Sequence, residues 1–336
     1  MIKLGIIGAG RIGKVHGESI TNFVPEAEVK AIADPYMNKE TKAWAESMGI
    51  KDIYKDYKKI IEDPKIDAIL VCSSTDTHAE ISIAAAEAGK DIFCEKPVDL
   101  DPAKIQEVLN VVEENEVKFQ VGFNRRFDHN FKAVKEAVEA GKIGNPHIIN
   151  ITSRDPEAPP IEYVKVSGGI FLDMTIHDFD MVRYLSNSEV EEVYAAGEVL
   201  VDPDIGEAGD IDTAVVTLKL KNGAIAVIDN SREAAYGYDQ RAEVFGSKGA
   251  IRVENDKEST AKLSTADRVE EETPLYFFLE RYMDSFAEEM KSFINAIENN
   301  EEVPVGGEDG LKPVLIGLAA KKSLEENRAV KVSEVE

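Results

Sequence analysis

Short apolar runs alternate with amphipathic stretches over the first third of the chain. The helical patterns include residues 81–88 and 105–114, and Asp101-Pro102 supplies a start for the second. Strands that alternate with helices predict a parallel, doubly wound α/β sheet. The five runs with the length and uniform hydrophobicity of buried strands cover residues 3–8, 29–33, 68–72, 91–94 and 118–121.

The pattern changes after about residue 145, where short β-rich runs are separated by turn signals such as Lys221-Asn222-Gly223. We expect an antiparallel meander here, followed by helices over 276–298 and 311–325. The chain is therefore predicted to have a Rossmann domain at 1–122 and an α+β domain at 123–336, with the last helix free to pack back on the first domain. The β-rich runs cover residues 147–153, 190–201, 211–220, 224–230, 241–245 and 250–253.

The composition narrows the choice of partners. The 336 residues include 43% hydrophobic and 31% charged residues and carry a formal net charge of −25, which argues against nucleic acid as a partner. The N-terminus enters a strand at once, and no apolar run approaches the roughly 20 residues of a membrane span. Cys72 and Cys94 end predicted buried strands and are expected to be reduced core thiols. We expect a cytoplasmic protein that does not bind a membrane.

A glycine motif, Gly8-Ala9-Gly10-Arg11-Ile12-Gly13, follows the first strand and opens a helix. Glycines at these positions allow a tight turn and the close approach of a pyrophosphate to the helix N-terminus. We expect Gly8, Gly10, Arg11 and Ile12 to contact a dinucleotide.

Asp34 ends the second strand, 21 positions beyond Gly13. A carboxylate there accepts a hydrogen bond from a ribose 2′-hydroxyl and repels a 2′-phosphate. Pro35-Tyr36-Met37 supplies no arginine beside it, so NAD is favoured over NADP, although the Arg11 cation would weaken that preference.

The segment Ser73 to His78 follows the strand at 68–72 and leads into a helix. Hydroxyl side chains at such a turn suit contacts with a cofactor and suit helix capping equally well. Ser73, Thr75 and His78 are candidate cofactor-binding residues, with a structural role for His78 as the alternative.

Glu95-Lys96-Pro97 follows the apolar run at 91–94. Proline cannot extend the ladder of hydrogen bonds, so the lysine is expected at the carboxyl end of a parallel strand, where open α/β sheets bind ligands. An ammonium beside a reacting oxygen would favour a developing alkoxide. The alternative is a lysine at a strand end with no role in chemistry.

His177 is the one histidine of five that lies in a suggestive group of residues. If the segment from Asp173 to Asp180 is helical, Asp173, His177 and Asp180 share one face. Oxidation of an alcohol needs a base, and the usual pKa of histidine suits that work, with a carboxylate to orient the ring. A helix with a structural histidine is the alternative. No HExxH motif or cluster of Cys and His appears, so we expect no metal site.

Together these motifs resemble the glucose–fructose oxidoreductase/inositol dehydrogenase (Gfo/Idh/MocA) family over nearly the whole chain. The resemblance implies a Rossmann domain followed by an α+β domain with a large, open, mostly antiparallel sheet. It also implies association through that sheet, often as a homotetramer. It assigns Lys96, Asp173 and His177 as the catalytic set, and it adds Glu95 and Lys96 to the residues at the cofactor.

Two further segments, 122–128 and 236–239, look most like those of bacterial myo-inositol 2-dehydrogenases. By that resemblance Asn124, Ser153, Asp155 and Tyr238 lie at the substrate, together with the catalytic set. The implied activity is NAD-dependent oxidation of a cyclic polyol, myo-inositol first of all. Some relatives carry His and Asn in place of Ser153 and Asp155, so another inositol isomer or a pyranose sugar is an alternative substrate.

Two other functions belong to different classes of protein. One is a glycosidase that retains its NAD and uses oxidation as a transient step. The other is a sensor that binds a sugar or the cofactor without turnover. The joint presence of Lys96, Asp173 and His177 speaks against a sensor, since binding needs no set of residues for proton transfer.

Overall fold

The computed structural model describes all residues from 1 to 336. The strands are β1 (Ile2–Ile7), β2 (Ala27–Ala33), β3 (Asp52–Tyr54), β4 (Ala68–Val71), β5 (Asp91–Glu95), β6 (Phe119–Gly122), β7 (Pro146–Arg154), β8 (Val190–Glu198), β9 (Thr213–Leu220), β10 (Ile225–Ser231), β11 (Asp239–Gly246), β12 (Gly249–Val253), β13 (Lys262–Ser264), β14 (Val269–Glu271) and β15 (Val330–Lys331). The α-helices are α1 (Arg11–Phe23), α2 (Lys39–Ser47), α3 (Lys58–Ile61), α4 (His78–Glu87), α5 (Pro102–Glu114), α6 (His129–Glu139), α7 (Ile161–Ser167), α8 (Gly169–Asp173), α9 (Ile176–Ser186), α10 (Pro203–Glu207), α11 (Phe278–Arg281), α12 (Met283–Asn299) and α13 (Gly307–Glu326).

The chain divides into two compact units. Unit 1 comprises Met1–Phe127 and Met283–Lys312, and unit 2 comprises Asp128–Tyr282 and Pro313–Glu336. This division differs from the predicted boundary at residue 122 and from a contiguous second domain. Helix α12 belongs to unit 1 because its apolar face, which includes Phe293, joins the core of the first sheet.

Unit 1 is built on a six-stranded parallel sheet in the order β3-β2-β1-β4-β5-β6. Strand β4 is apolar throughout and buried, and β5 is apolar and buried between its terminal acidic residues, as expected for a sheet with helices on both faces. The strand order reverses between β1 and β4, and ligands of doubly wound folds bind at the carboxyl ends of strands at this point. The predicted strand positions are confirmed, and the short β3 was not predicted.

Unit 2 contains a seven-stranded sheet in the order β12-β11-β7-β10-β9-β8-β15. Every neighbouring pair is antiparallel except β7 and β10, which run parallel. The simple meander expected from sequence is therefore wrong at this point, because β7 lies between β10 and β11 although it precedes both along the chain. Exposed and buried residues alternate along β9, which gives the sheet one inner and one outer face.

No helix is long and apolar enough to cross a membrane.

Candidate functional site

The glycine loop of unit 1 joins β1 to α1. Gly8 has a φ of 102°, and a Cβ at this position would collide with the Cys72 carbonyl. Gly10 caps α1 without a side-chain hydrogen bond, and no atom lies within 4 Å of the place where its Cβ would be. The first N–H groups of α1 are therefore available to an anion, and the loop leaves room for a pyrophosphate. Arg11 and Ile12 begin the helix at this end.

Asp34 follows β2 and is fixed beside the glycine loop. Its Oδ2 accepts a hydrogen bond from the Ala9 N–H at 2.7 Å, and its Oδ1 accepts one from the Tyr36 N–H at 2.7 Å. Each carboxylate oxygen retains a second lone pair, so the group can still accept from a ribose hydroxyl. The hydrogen bond from the Ala9 N–H therefore fixes the Asp34 carboxylate directly beside the glycine loop.

His78 joins the two loops that leave β4 and β5. Its Nδ1 lies 2.8 Å from the Pro97 carbonyl oxygen and its Nε2 lies 3.0 Å from the Ser73 carbonyl oxygen. The side chain is 2% exposed, and the Ser73 hydroxyl lies 2.6 Å from that of Thr77. These contacts give His78 a structural role, and the cofactor contacts of Ser73, Thr75 and His78 stay predictions.

Glu95 and Lys96 lie at the carboxyl end of β5, and the Lys96–Pro97 peptide bond is cis. Glu95 Oε1 is 2.6 Å from Nε2 of His16, a fully buried residue of α1, while Glu95 Oε2 accepts from the Lys96 backbone N–H at 3.3 Å. The Glu95 carboxylate therefore points into the protein and links the strand end to the helix that begins at the glycine loop. Lys96 itself is half-buried.

A second carboxyl group, that of Glu289 on α12, lies beneath this strand end. Its two oxygens are buried and make no hydrogen bond. Burial, followed by the nearby charge of Glu95, raises the pKa of Glu289 well above its usual range. Burial therefore favours the neutral form of this carboxyl group.

In unit 2, Asp173 ends α8 and His177 is the second residue of α9, so the condition of one continuous helix from Asp173 to Asp180 is not met. The interruption arises because the Thr175 N–H bonds to the Ile170 carbonyl, five residues back, at 2.9 Å. The Thr175 hydroxyl bonds to the same carbonyl at 3.2 Å. Asp173 and His177 are both partly accessible, whereas Asp180 is fully buried and lies 3.7 Å from Arg183 in an ion pair.

Both oxygens of Asp173 are engaged. The Tyr163 hydroxyl donates to Oδ1 at 2.7 Å, and the guanidinium of Arg232 donates to Oδ2 at 3.3 Å. Arg232 also lies 3.7 Å from the carboxylate of Asp210. Two donors on opposite oxygens fix the orientation of the Asp173 carboxylate.

Asn230 on the inner face of the second sheet holds the start of α9. Its amide N–H donates to Asp178 at 2.8 Å and to the Ser153 carbonyl at 3.1 Å, and its oxygen accepts from the Thr175 hydroxyl at 2.7 Å. All three side chains, of Asn230, Asp178 and Thr175, are fully buried. This satisfied polar network fixes the helix start on which His177 lies.

The remaining predicted substrate residues differ in accessibility. The Ser153 side chain is fully buried and donates to Gln240 at 3.0 Å, so it lies in the core of the sheet. Asp155 is partly accessible, and its N–H bonds to the Ser231 carbonyl at 3.0 Å. Tyr238 is 6% exposed and packs edge to face on Tyr282. Asn124 is 5% exposed at the end of β6 in unit 1.

One group of side chains has the geometry of a metal site: Asp128, His129 and Asp256 bring three ligand atoms within 4.8 Å of one another. The guanidinium of Arg281 pairs with Asp128 at 2.5 Å and with Asp256 at 3.0 Å. This cation already balances the two carboxylates, so the group is an ion-pair network. The absence of a metal from the function stays a prediction.

Within unit 1 the structure brings Gly8, Asp34, Ser73 and Lys96 to the carboxyl edge of the parallel sheet. Within unit 2 it places Asp173 at the end of α8 and His177 near the start of α9. Sequence reasoning missed four buried residues that support these elements, His16, Glu289, Arg232 and Asn230, and the exposed Tyr163. The available signals were weak: Arg232 comes two positions after the predicted strand 224–230, and His16 lies one helical turn beyond Gly13 in the helix that the glycine motif opens.

Comparisons with known proteins agree with this architecture. Residues 2–123 match the model of the oxidoreductase family with an NAD-binding Rossmann fold, and residues 131–252 match the GFO/IDH/MocA C-terminal domain. Myo-inositol 2-dehydrogenase of Thermotoga maritima is 54% identical over 99% of both chains, and inositol 2-dehydrogenase of Rhizobium meliloti is 45% identical over 99% of both.

Solved structures are similar over the same length. A probable dehydrogenase from Thermotoga maritima, 53% identical, gives a TM-score of 0.97 with all of both chains covered. Scyllo-inositol dehydrogenase from Lactobacillus casei, solved with NAD(H) and scyllo-inositol, is 32% identical, with a TM-score of 0.92 over 99% of both chains. The N-terminal match covers the glycine loop, Asp34 and the Glu95-Lys96-Pro97 strand end. This chain belongs to the GFO/IDH/MocA family of NAD-binding oxidoreductases.

Proposed function

We propose that this protein is an NAD-dependent inositol 2-dehydrogenase that oxidises myo-inositol to 2-keto-myo-inositol (scyllo-inosose). The observation that carries the proposal is the full-length identity of 54% and 45% to proteins named myo-inositol and inositol 2-dehydrogenases. The anchored Asp173 carboxylate near the start of α9 and the lysine at the end of β5 supply residue types that alcohol oxidation requires.

The proposed roles follow from the chemistry of the groups. His177 takes the proton of the substrate hydroxyl, while Lys96 donates a hydrogen bond to the same oxygen as its negative charge develops. Asp173 orients His177 and the substrate. The hydride from the same carbon is accepted by bound NAD, which becomes NADH. The hydroxyl group thus becomes a carbonyl with one proton and one hydride removed.

The proposed binding residues divide between the cofactor and the polyol. Asp34 receives the adenosine ribose, and this favours NAD over NADP because its charge repels a 2′-phosphate. Glu95 is proposed to act at the cofactor side through the strand end it anchors. Asn124, Asp155 and Tyr238 are proposed to contact the polyol, whose hydroxyl groups need both donors and acceptors.

We also propose a homotetramer formed through the outer face of the second sheet. Ile148 faces Ile225 on one side and Phe245 on the other in the strand register, and each is more than 40% exposed. A row of large apolar side chains across three strands is typical of an interface between subunits.

A cytoplasmic location is proposed from the two cysteines. Cys72 and Cys94 are free and buried, and burial raises the pKa of both thiols. Thiols that remain reduced suit a reducing compartment.

The test is a substrate panel with the purified protein. We expect NAD reduction with myo-inositol, with scyllo-inositol and glucose as comparison substrates. Lack of turnover with every cyclic polyol and sugar would reject a dehydrogenase. Cleavage of aryl glycosides without net NADH release would instead identify a glycosidase that retains NAD.

A further inference from the structure

The Arg232 side chain is 1% exposed, although it directly follows Ser231, the partly exposed last residue of β10. Burial of a guanidinium costs free energy unless the charge is paired, so the partners of Arg232 indicate its role. Those partners are two carboxylates, Asp173 at 3.3 Å and Asp210 at 3.7 Å. Its own backbone N–H bonds to the Asp212 carbonyl at 2.8 Å, which fixes the base of the side chain.

The two carboxylates lie at opposite ends of α8, although only Asp173 is part of that helix. Asp210 Oδ1 accepts a hydrogen bond from the Ile170 N–H at 3.1 Å, at the start of the helix, and Asp173 is its last residue. Gly169 makes this contact possible, because a Cβ there would lie 2.8 Å from the Asp210 oxygen. Arg232 therefore connects the beginning and the end of one short helix through a single planar group.

The Tyr163 hydroxyl binds the other Asp173 oxygen at 2.7 Å, and Tyr163 is 48% exposed. One oxygen of Asp173 is thus held from the protein interior and the other from the accessible side. A lysine would replace the fork of the guanidinium by one point charge, which cannot engage two separate carboxylates with the same geometry.

We propose that Arg232 is a positioning residue of the reaction: it fixes the Asp173 carboxylate, and with it the end of α8, in the orientation that the chemical step requires. This inference rests on the proposed dehydrogenase function and extends it to a residue that does not touch substrate. The partner through which Arg232 acts is Asp173, so its contribution to turnover depends on the carboxylate.

The test is a double-mutant cycle on the full-length protein. Arg232→Met should lower kcat for myo-inositol by roughly 10–100-fold, the range found when a supporting hydrogen bond to an active group is removed. Arg232→Lys should recover part of that loss, since it keeps the charge but not the fork. NAD affinity, measured by NADH fluorescence, should stay within about twofold of the parent, because the proposed role of Arg232 is confined to the Asp173 carboxylate.

The decisive comparison is Arg232→Met in the Asp173→Asn background. We expect less than about a threefold further loss of kcat there, because groups that act as a unit are not additive. A general structural role would lower kcat by the same factor in both backgrounds. Arg252→Met is the matched control, since it removes an exposed arginine paired with Glu254 at 3.5 Å and should leave kcat unchanged.

The experiment distinguishes failure of the proposed function from failure of the role proposed for Arg232. An inactive parent protein would overturn both the proposed function and this inference. An active parent with equal losses in the two backgrounds, or with an unchanged kcat in Arg232→Met, would overturn this inference alone. If Arg232→Met does not fold, full activity of Arg232→Lys would overturn it, and a partial loss that vanishes in the Asp173→Asn background would support it.

Discussion

Replacement of Glu289 by glutamine should stabilise the protein increasingly as the pH rises. Glu289 is fully buried, its carboxyl oxygens make no hydrogen bond, and its pKa is raised by burial and by the charge of Glu95. The glutamine side chain has nearly the shape of the protonated acid and cannot ionise. The two proteins should therefore differ little in acid and progressively more towards neutral pH.

The sign and size of this pH-dependent difference in stability follow from proton linkage. A carboxyl whose pKa is higher in the folded state binds more protons when folded, so its stabilising contribution is complete below the usual glutamate pKa of 4.5 and declines as the pH rises towards the raised value. Within that window the loss approaches about 1.4 kcal/mol per pH unit. In a folding unit of about this size, each kcal/mol of stability corresponds to roughly 2–4 °C in Tm.

Thermal unfolding of the parent and Glu289→Gln, measured at several pH values from 5 to 8, provides the assay. The difference in Tm should widen with pH by a few degrees per unit. Glu288→Gln is the control, because it makes the same replacement at the exposed neighbour on the same helix. A constant Tm difference for Glu289→Gln would refute the reasoning, since it would mean that Glu289 does not titrate differently on folding.

Three further predictions concern the cofactor, the chemistry and the assembly. Asp34→Ser should raise the ratio of kcat/KM for NADP over NAD by about tenfold or more, the value of a lost charge-assisted hydrogen bond, and an unchanged ratio would remove Asp34 from the ribose site. Lys96→Met should lower kcat by roughly 100-fold or more, a larger factor than its loss of NADH affinity, and equal losses in affinity and kcat would indicate a binding role only. Ile225→Lys should shift the molar mass by light scattering towards smaller species, because it places a charge in the exposed apolar row of the sheet; an unchanged mass would place the interface elsewhere.

The sequence predicted the strands of the first sheet well, because parallel strands that are buried on both faces consist of nearly uninterrupted apolar residues. The strands 68–72 and 91–94, for example, coincide closely with β4 and β5. The pairing of β7 with β10 was not predictable in the same way. Alternating hydrophobicity shows that a strand has one buried face, but it does not show which strand lies beside it.

The residues of the candidate site were also predictable only where a local sequence pattern marks them. Asp34 and Lys96 were identifiable because each follows a strand whose end is marked in the sequence. Arg232 and Asn230 are far along the chain from Asp173 and Thr175, and their contacts arise from the fold of the second sheet. The break between α8 and α9 also involves such a contact, since the Thr175 hydroxyl lies 2.7 Å from the Asn230 side-chain oxygen and 3.2 Å from the Ile170 carbonyl oxygen of α8.

The central claim is that the chain oxidises a cyclic polyol with NAD. The most direct measurement is the initial rate of NADH formation by the purified protein with NAD and myo-inositol, with His177→Ala assayed in parallel. The account predicts sustained turnover by the parent and a loss of roughly 100-fold or more in the variant, the contribution of a general base. No NADH formation with myo-inositol or any other cyclic polyol, or equal rates in the parent and the variant, would contradict it.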